Sequence, residues 1–365
     1  MVPPLAPPPH VTLALEETLL WLCRIPSPTG EEAAVCDAVE ERLARLPLAA
    51  PIRRYGQSIV VPLTRAAQKR PHVALVGHLD TVRTENGPAH PQDGRIFGSG
   101  AADMKSGLAA MIVLAETAAP LLQCDVTLVF YAREEGPYME NELGPVLEQD
   151  PELRSIDVAV CLEPSDNRLQ LGCCGAVQST VLFEGKTAHS ARPWEGVNAI
   201  TKAAPLLSRL AALRPIEHEI DGLVFRTVTT VTIANGGRGR NVVPDQFALN
   251  LNHRFVPTTT VEQAKRDVLE LVGPDALVEF TDVSPAAMPN TTHPFVTQLL
   301  AAGARKPEPK QAWTDVGRFA AAGIAAVNFG PGENAQAHQK NESTDCALLV
   351  EGYQILHNWL TTLKV

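Results

Sequence analysis

His72-Val73-Ala74-Leu75-Val76-Gly77 (HVALVG) is a short apolar run, rich in Val and Leu and too brief for a helix. It recurs in kind at Asp125 to Ala132 (DVTLVFYA) and at Asp157 to Leu162 (DVAVCL). Continuous apolar runs of this length are what strands covered on both faces require, as in a parallel sheet. Between the first two lies Gly107 to Leu122, an Ala/Leu/Met-rich helix predicted to end near Pro120. Strand, helix, strand in this order is α/β winding. Upstream, Thr12 to Cys23 has helical spacing of Leu and Ala, and Ser27-Pro28-Thr29-Gly30-Glu31-Glu32 combines a turn with acids early in a second helix.

From about Gly175 the texture changes. Ala176 to Glu184 and Arg226 to Ile233 alternate like strands with one wet face; Asn198 to Leu213 reads as a helix, Gln246 to Phe255 as a strand, Thr260 to Val272 as a helix and Ala276 to Val283 as a strand. That β-α-β-β-α-β order predicts a ferredoxin-like layer. After Pro289 the α/β pattern resumes, with a helix near Pro294 to Ala304 and a buried strand at Ala325 to Gly330. The expected organisation is a discontinuous first domain, residues 1–174 and 288–365, carrying a mostly parallel central sheet, and an inserted domain over residues 175–287.

The 365 residues carry 31 Lys plus Arg against 41 Asp plus Glu, a net charge of -10, which argues against a nucleic-acid partner. The start, Met1 to Val11, is Pro-rich and lacks the features of a secretory signal, and no run approaches the roughly 18 apolar residues of a membrane span, so a cytoplasmic protein with no membrane partner is expected. Seven cysteines without CxxC spacing predict neither a disulfide framework nor a thiolate metal site; the adjacent Cys173 and Cys174 read as packing or as a redox pair.

Chemistry-bearing residues cluster where strands stop. His78-Leu79-Asp80 follows HVALVG; Arg133-Glu134-Glu135-Gly136 follows DVTLVFYA; Glu163-Pro164 follows DVAVCL. In open α/β sheets, ligands gather outside the carboxyl ends of strands. Gly98-Ser99-Gly100-Ala101-Ala102-Asp103 brings a carboxylate to the front of a helix through a loop of small residues, and His338 sits in a polar loop beyond Gly330-Pro331-Gly332. Each has an ordinary alternative: a His/Asp pair at a strand end, a helix-capping Asp, solvated loop acids, a loop histidine. Together they form an oxygen and imidazole set suited to zinc or a related divalent ion. Two adjacent carboxylates at a buried strand end also call for a cation, which one can bind while the other accepts protons.

These motifs, GHLDTV at Gly77 to Val82, GSGAADMKSG at Gly98 to Gly107, REEG, Glu163-Pro164 and AHQKNE at Ala337 to Glu342, together with HSARP at His189 to Pro193 and NVVPD at Asn241 to Asp245, resemble the M20 metallopeptidase family of dinuclear zinc amidohydrolases over nearly the whole chain. The resemblance implies two zinc ions, with cobalt or manganese as substitutes. His78 and Glu163 would bind one, Glu135 and His338 the other, and Asp103 would bridge them. It implies Glu134 as general base, Asp80 as the group orienting His78, and His189, often from a partner subunit, as oxyanion stabiliser. Within the family the desuccinylase loops are closest, at Trp313 to Phe319 and Asn328 to Gly332. The implied reaction is hydrolysis of N-succinyl-LL-2,6-diaminopimelate, in lysine and cell-wall precursor synthesis, with Asn241, Arg254, Thr314 and Gly330 touching substrate. Arg254 is preferred over Arg192 and Arg318 as the reader of the succinyl carboxylate. The alternatives are an N-acetylornithine deacetylase, an aminoacylase, a carboxypeptidase or a noncatalytic relative. The family also implies a homodimer through the inserted domain. Two stretches depart from its pattern, Arg83-Thr84-Glu85-Asn86-Gly87 and the long acidic GPYMENELG after the glutamate pair.

Overall fold

The computed structural model describes residues 7–84 and 86–363, so Glu85 and the first part of the Pro-rich leader lie outside the described residues. The chain divides into two compact units, one of Met1–Leu171, Asn290–Glu308 and Arg318–Val365, the other of Gly172–Pro289 and Pro309–Gly317. The short return of Pro309–Gly317 to the second unit has no counterpart in the expected 175–287 boundaries.

In the first unit the strands are β1 (Arg53–Tyr55), β2 (Ser58–Thr64), β3 (His72–His78), β4 (His90–Gln92), β5 (Arg95–Phe97), β6 (Asp125–Tyr131), β7 (Val158–Cys161) and β8 (Arg168–Leu171). The chain then builds β9 (Gly175–Glu184), β10 (Ile216–Ile220), β11 (Leu223–Gly236), β12 (Gln246–Phe255) and β13 (Leu277–Ser284) in the second unit, and returns with β14 (Arg305–Pro309), β15 (Ala325–Asn328) and β16 (Ser343–Asp345).

The main sheet has the order β1-β2-β6-β3-β7-β15-β8-β14. Its centre, β6-β3-β7-β15, is parallel throughout, and antiparallel strands flank it. Every residue of β3 and β6 is buried, which is why these strands read as unbroken apolar runs rather than as alternation. The crossover from β3 to β6 contains the helix Lys105–Ala118, with twelve of its residues buried, and the helix stops just before Pro120 as expected. Because the four central strands share one direction, their carboxyl ends lie along one edge of the sheet. That edge is where the sequence puts its His, Asp and Glu clusters.

The second unit is a five-stranded antiparallel sheet in the order β10-β11-β12-β9-β13. Four of these, β13-β9-β12-β11, have the ferredoxin-like arrangement, and β10 is an addition at the edge. Alternate residues of β9 and β12, among them Val181, Phe183, Leu249 and Leu251, pack with Leu206, Ala264 and Val268 of the two main helices. The first of these helices is not one piece, as the sequence predicts, but two, Ala199–Lys202 and Ala204–Ala212, with Pro205 in the first turn of the second. The other, Val261–Val272, is capped by Thr260, whose Oγ1 accepts the Gln263 amide at 3.2 Å, and ends at Gly273 with φ +77°.

Candidate metal centre

The site grows from three strand ends, those of β3, β6 and β7, and two loops of the first unit. β3 ends on His78, which is 1 % exposed. Its Nδ1 lies 3.0 Å from the Asp80 backbone oxygen and 3.5 Å from Asp80 Oδ1, while Nε2 faces Asp103 Oδ1 at 3.2 Å. A hydrogen bond at Nδ1 fixes the ring and leaves Nε2 as the nitrogen turned toward Asp103. Asp103 arrives from the crossover loop just ahead of its helix. Its other oxygen, Oδ2, lies 3.4 Å from His338 Nε2, and that same nitrogen is 2.9 Å from Glu135 Oε1. His78, Asp103 and Glu135 each offer a ligand atom within 4.8 Å of the others. Glu163, directly after β7, is also buried, at 5 % exposure, but stands outside that tightest set.

The glutamate pair is held by its backbone. Asp80, fully buried, accepts the Glu134 amide on Oδ1 at 2.9 Å and the Glu135 amide on Oδ2 at 3.0 Å, and Thr29 Oγ1 donates to Oδ2 at 3.0 Å. The Arg133 amide, at a residue with φ +63°, goes to Glu32 Oε1 at 3.2 Å. Three successive amides therefore hang on two buried carboxylates, and the turn that presents Glu134 and Glu135 is fixed before any ligand arrives. Asp80 serves this turn as well as His78, which is more than the orienting role expected of it.

The donor set fits divalent cations. Three carboxylates and two imidazoles come to one sheet edge with Asp80 and Glu134 behind them, an excess of negative charge in a largely buried place. In the polypeptide alone the imidazoles carry the compensation as protons. Burial opposes a charge on His78, yet hydrogen bonds to Asp103 and Asp80 lift it well above its usual value. His338 is raised to about 10 by hydrogen bonds to Asp103 and Glu135. Burial would raise Asp103, but the two imidazoles hold it well below the usual carboxylate range. Glu135 is raised, chiefly by burial.

Other expected residues fall as follows. Gly330 is buried, and a Cβ there would lie 2.4 Å from the carbonyl oxygens of both Leu162 and Glu163. Its glycine is thus demanded by close approach of β15's end to the strand end bearing Glu163. Thr314 belongs to the second unit, is 2 % exposed, and its Oγ1 has no hydrogen-bond partner among the described residues. Also in the second unit, His189 is exposed with Nδ1 accepting the Ala191 amide at 3.1 Å, Asn241 is exposed, and Arg254 is half-buried, with burial lowering its guanidinium pKa. Arg318 is no surface charge: it is 8 % exposed, with its guanidinium 3.8 Å over the Tyr138 ring and donating to the Tyr138 carbonyl, so it anchors the acidic loop after Glu135. All seven cysteines are free, Cys173 and Cys174 among them, and burial pushes those two thiols up to about 11 and about 12, the behaviour of packing rather than redox groups.

Two acids, Glu32 and Glu342, were not singled out by the sequence. Both are buried and both accept backbone amides of ligand-bearing loops. Their only signal is an acid beside a glycine-rich turn or a histidine, with partners far away in the chain.

No helix among the described residues is long and apolar enough to cross a membrane. Residues 74–362 match Peptidase family M20/M25/M40. The chain is 36% identical over 349 residues to a Corynebacterium glutamicum protein named succinyl-diaminopimelate desuccinylase, covering 93% of this chain and 94% of the relative. It is 37% identical over 341 residues to a Mycobacterium tuberculosis protein, DapE by name, covering 93% and 96%. Among solved structures, aminopeptidase PepT from Bacillus cereus shares the fold with a TM-score of 0.76 and 21% identity over 96% of this chain and 98% of that one. So does a Bacillus subtilis protein described as a dinuclear metal binding peptidase, with TM-score 0.67 and 16% identity over 96% and 98%. With the matching segment spanning His78, Asp103, Glu135, Glu163 and His338, the chain belongs to Peptidase family M20/M25/M40.

Proposed function

We propose that this protein is a two-metal amidohydrolase that cleaves N-succinyl-LL-2,6-diaminopimelate to succinate and LL-2,6-diaminopimelate. The observation that carries the chemistry is one carboxylate, Asp103, facing two imidazoles on its two oxygens. The substrate rests on the two relatives matched over 93% of the chain.

His78 and Glu163 would hold one cation, Glu135 and His338 the other, with Asp103 between them. The nitrogen and oxygen donors suit zinc, and cobalt or manganese would substitute. Such a pair, when bound, supplies a nucleophile at neutral pH and polarises the scissile carbonyl. Glu134 takes a proton from the attacking water on its carboxylate and delivers it to the departing nitrogen, and the Asp80 clamp on its amide sets the geometry of both transfers. His189 donates to the oxyanion. Arg254 reads the succinyl carboxylate through two parallel hydrogen bonds, and Asn241, Thr314 and Gly330 complete the substrate contacts.

The second unit is read as a lid and as the dimer contact. Among the described residues β10 pairs only with Leu223 to Thr227 of β11, so the strand from Val228 to Gly236 has an edge that β10 leaves open, a route to two-fold pairing. Seven free cysteines suit a reducing cytoplasm.

A zinc-loaded preparation tested against a panel of N-succinyl and N-acetyl amino acids checks this reading. Preferred release of succinate from N-succinyl-diaminopimelate is expected. Exclusive cleavage of N-acetylornithine, or no cleavage of any N-acyl amino acid, would overturn it.

A further inference from the structure

We propose that Glu342 is a positioning residue that fixes the backbone of Asp103 for metal binding. Glu342 is 2 % exposed. Its Oε1 accepts the amides of Ala102 and Asp103, each at 2.8 Å, and its Oε2 accepts the Gly100 amide at 2.8 Å. Its own amide donates to Asn86 Oδ1 at 3.0 Å, and its carbonyl accepts the Gly98 amide at 3.0 Å. Every backbone and carboxylate oxygen of this residue is therefore spent on the loop from Gly98 to Asp103.

That loop belongs to no helix or strand; its carbonyls are held by Thr344 Oγ1, which donates to Ala101 at 2.6 Å, and by Ser106 Oγ and the Lys105 amide, which donate to Ala102 and Gly100, while the amides of Gly100, Ala102 and Asp103 go to Glu342. Gly100 sits at φ +77°, and a Cβ there would lie 2.5 Å from Thr81 Cγ2, so the loop is pressed against the segment leaving β3. Buried amides need acceptors, and here one carboxylate supplies three. A carboxylate is the group for this task because its two oxygens accept several charge-assisted bonds at once. Glu342 follows His338 by four residues, so one stretch of chain supplies an imidazole to Asp103 Oδ2 and clamps the Asp103 amide. Movement of the Asp103 backbone would misplace both of its oxygens together, and with them the link between the two halves of the centre. The role rests on the reading of Asp103 as the shared ligand.

Cobalt uptake by wild type, Glu342→Gln and Glu342→Ala, followed by equilibrium dialysis and by visible absorption of the bound ions, tests this, alongside the melting temperature of each metal-free chain. Wild type is expected to take up two cobalt ions. Glu342→Ala should bind them about 10- to 100-fold more weakly with an altered absorption spectrum. Glu342→Gln should be less affected, since its one oxygen can keep the Ala102 and Asp103 amides; should the alanine variant fail to fold, this variant carries the test through its spectrum. Wild-type affinity and spectrum in the folded variants, even with a lowered melting temperature, would overturn the proposal and leave Glu342 a packing residue. Uptake of fewer than two ions by wild type would overturn the shared-ligand reading, and this role with it.

Discussion

His78 and His338 meet on opposite oxygens of one side chain: Nε2 of His78 is 3.2 Å from Asp103 Oδ1, and Nε2 of His338 is 3.4 Å from Oδ2. The two imidazoles come from distant parts of the chain, one from the end of β3 and one from the loop after β15, and each takes its own oxygen in that arrangement. Removing the charge from Asp103 should therefore disturb both cations at once. Asp103→Asn is expected to take up fewer than two zinc ions, measured by elemental analysis after dialysis, while His338→Ala should spare the cation at His78. Full occupancy in Asp103→Asn would contradict the shared role.

Glu134 has a different duty from its neighbour, because Glu135 contacts His338 and binds metal in the scheme while Glu134 moves a proton. Glu134→Gln is expected to keep both metals and lose turnover by about two to four orders of magnitude. Steady-state kinetics with metal analysis on the same sample decides it; near-normal turnover would remove Glu134 as the base.

Asp80 accepts two backbone amides at 2.9 and 3.0 Å, so Asp80→Asn sets its side-chain NH2, itself a donor, against one of the two N–H groups. The expected result is a fall in kcat of about 10- to 100-fold with little change in KM, since the base moves while the substrate contacts stay. A change confined to KM would count against the clamp.

Gly330→Ala places a methyl 2.4 Å from two carbonyl oxygens. Overpacking of this kind costs about 1–3 kcal/mol, so thermal unfolding should come several degrees earlier, with activity falling as the Glu163 strand end shifts. An unchanged melting temperature would show that the contact relaxes at no cost.

The pH dependence of stability has a contribution from two histidines that are not among the proposed ligands. His72 and His253 are 4 % and 5 % exposed, and burial lowers both pKa values below the ordinary 6.5. Neutral in the fold, each gains a proton on unfolding once the pH drops beneath 6.5, so the unfolded chain binds more protons and acid favours it. Their stabilising effect is whole above pH 6.5 and is lost as the pH falls through that value toward the folded pKa. In that window each imidazole steepens the loss by no more than about 1.4 kcal/mol per pH unit, the slope of one whole proton. Melting curves from pH 7.5 to 5 should show the fall, and His72→Gln should flatten it; an equal slope in that variant would remove His72 from the account.

Much of the fold and of the centre is legible in residue order. The buried runs of β3, β6 and β7 read as strands because both faces are covered, and His78, Glu134, Glu135 and Glu163 stand at or just beyond the last residue of those runs. β10 escapes such a reading because Ile216-Glu217-His218-Glu219-Ile220 is an edge strand that buries Ile220 alone, too little for its alternation to stand out as a burial signal. The split at Ala203 does leave a mark in the sequence, Pro205, which is disfavoured in a helix interior and favoured in a first turn. Glu32, Glu342 and the Arg318–Tyr138 contact are invisible for a common reason. Each joins residues that lie far apart in the chain, and a lone acid or arginine has no periodicity to betray its partner.

Anomalous diffraction from a zinc-loaded crystal, recorded at the zinc absorption edge, addresses the centre itself. Two peaks flanking the Asp103 carboxylate, one bound by His78 and the other by His338, are expected. A single peak, or zinc bound without Asp103, would contradict the account.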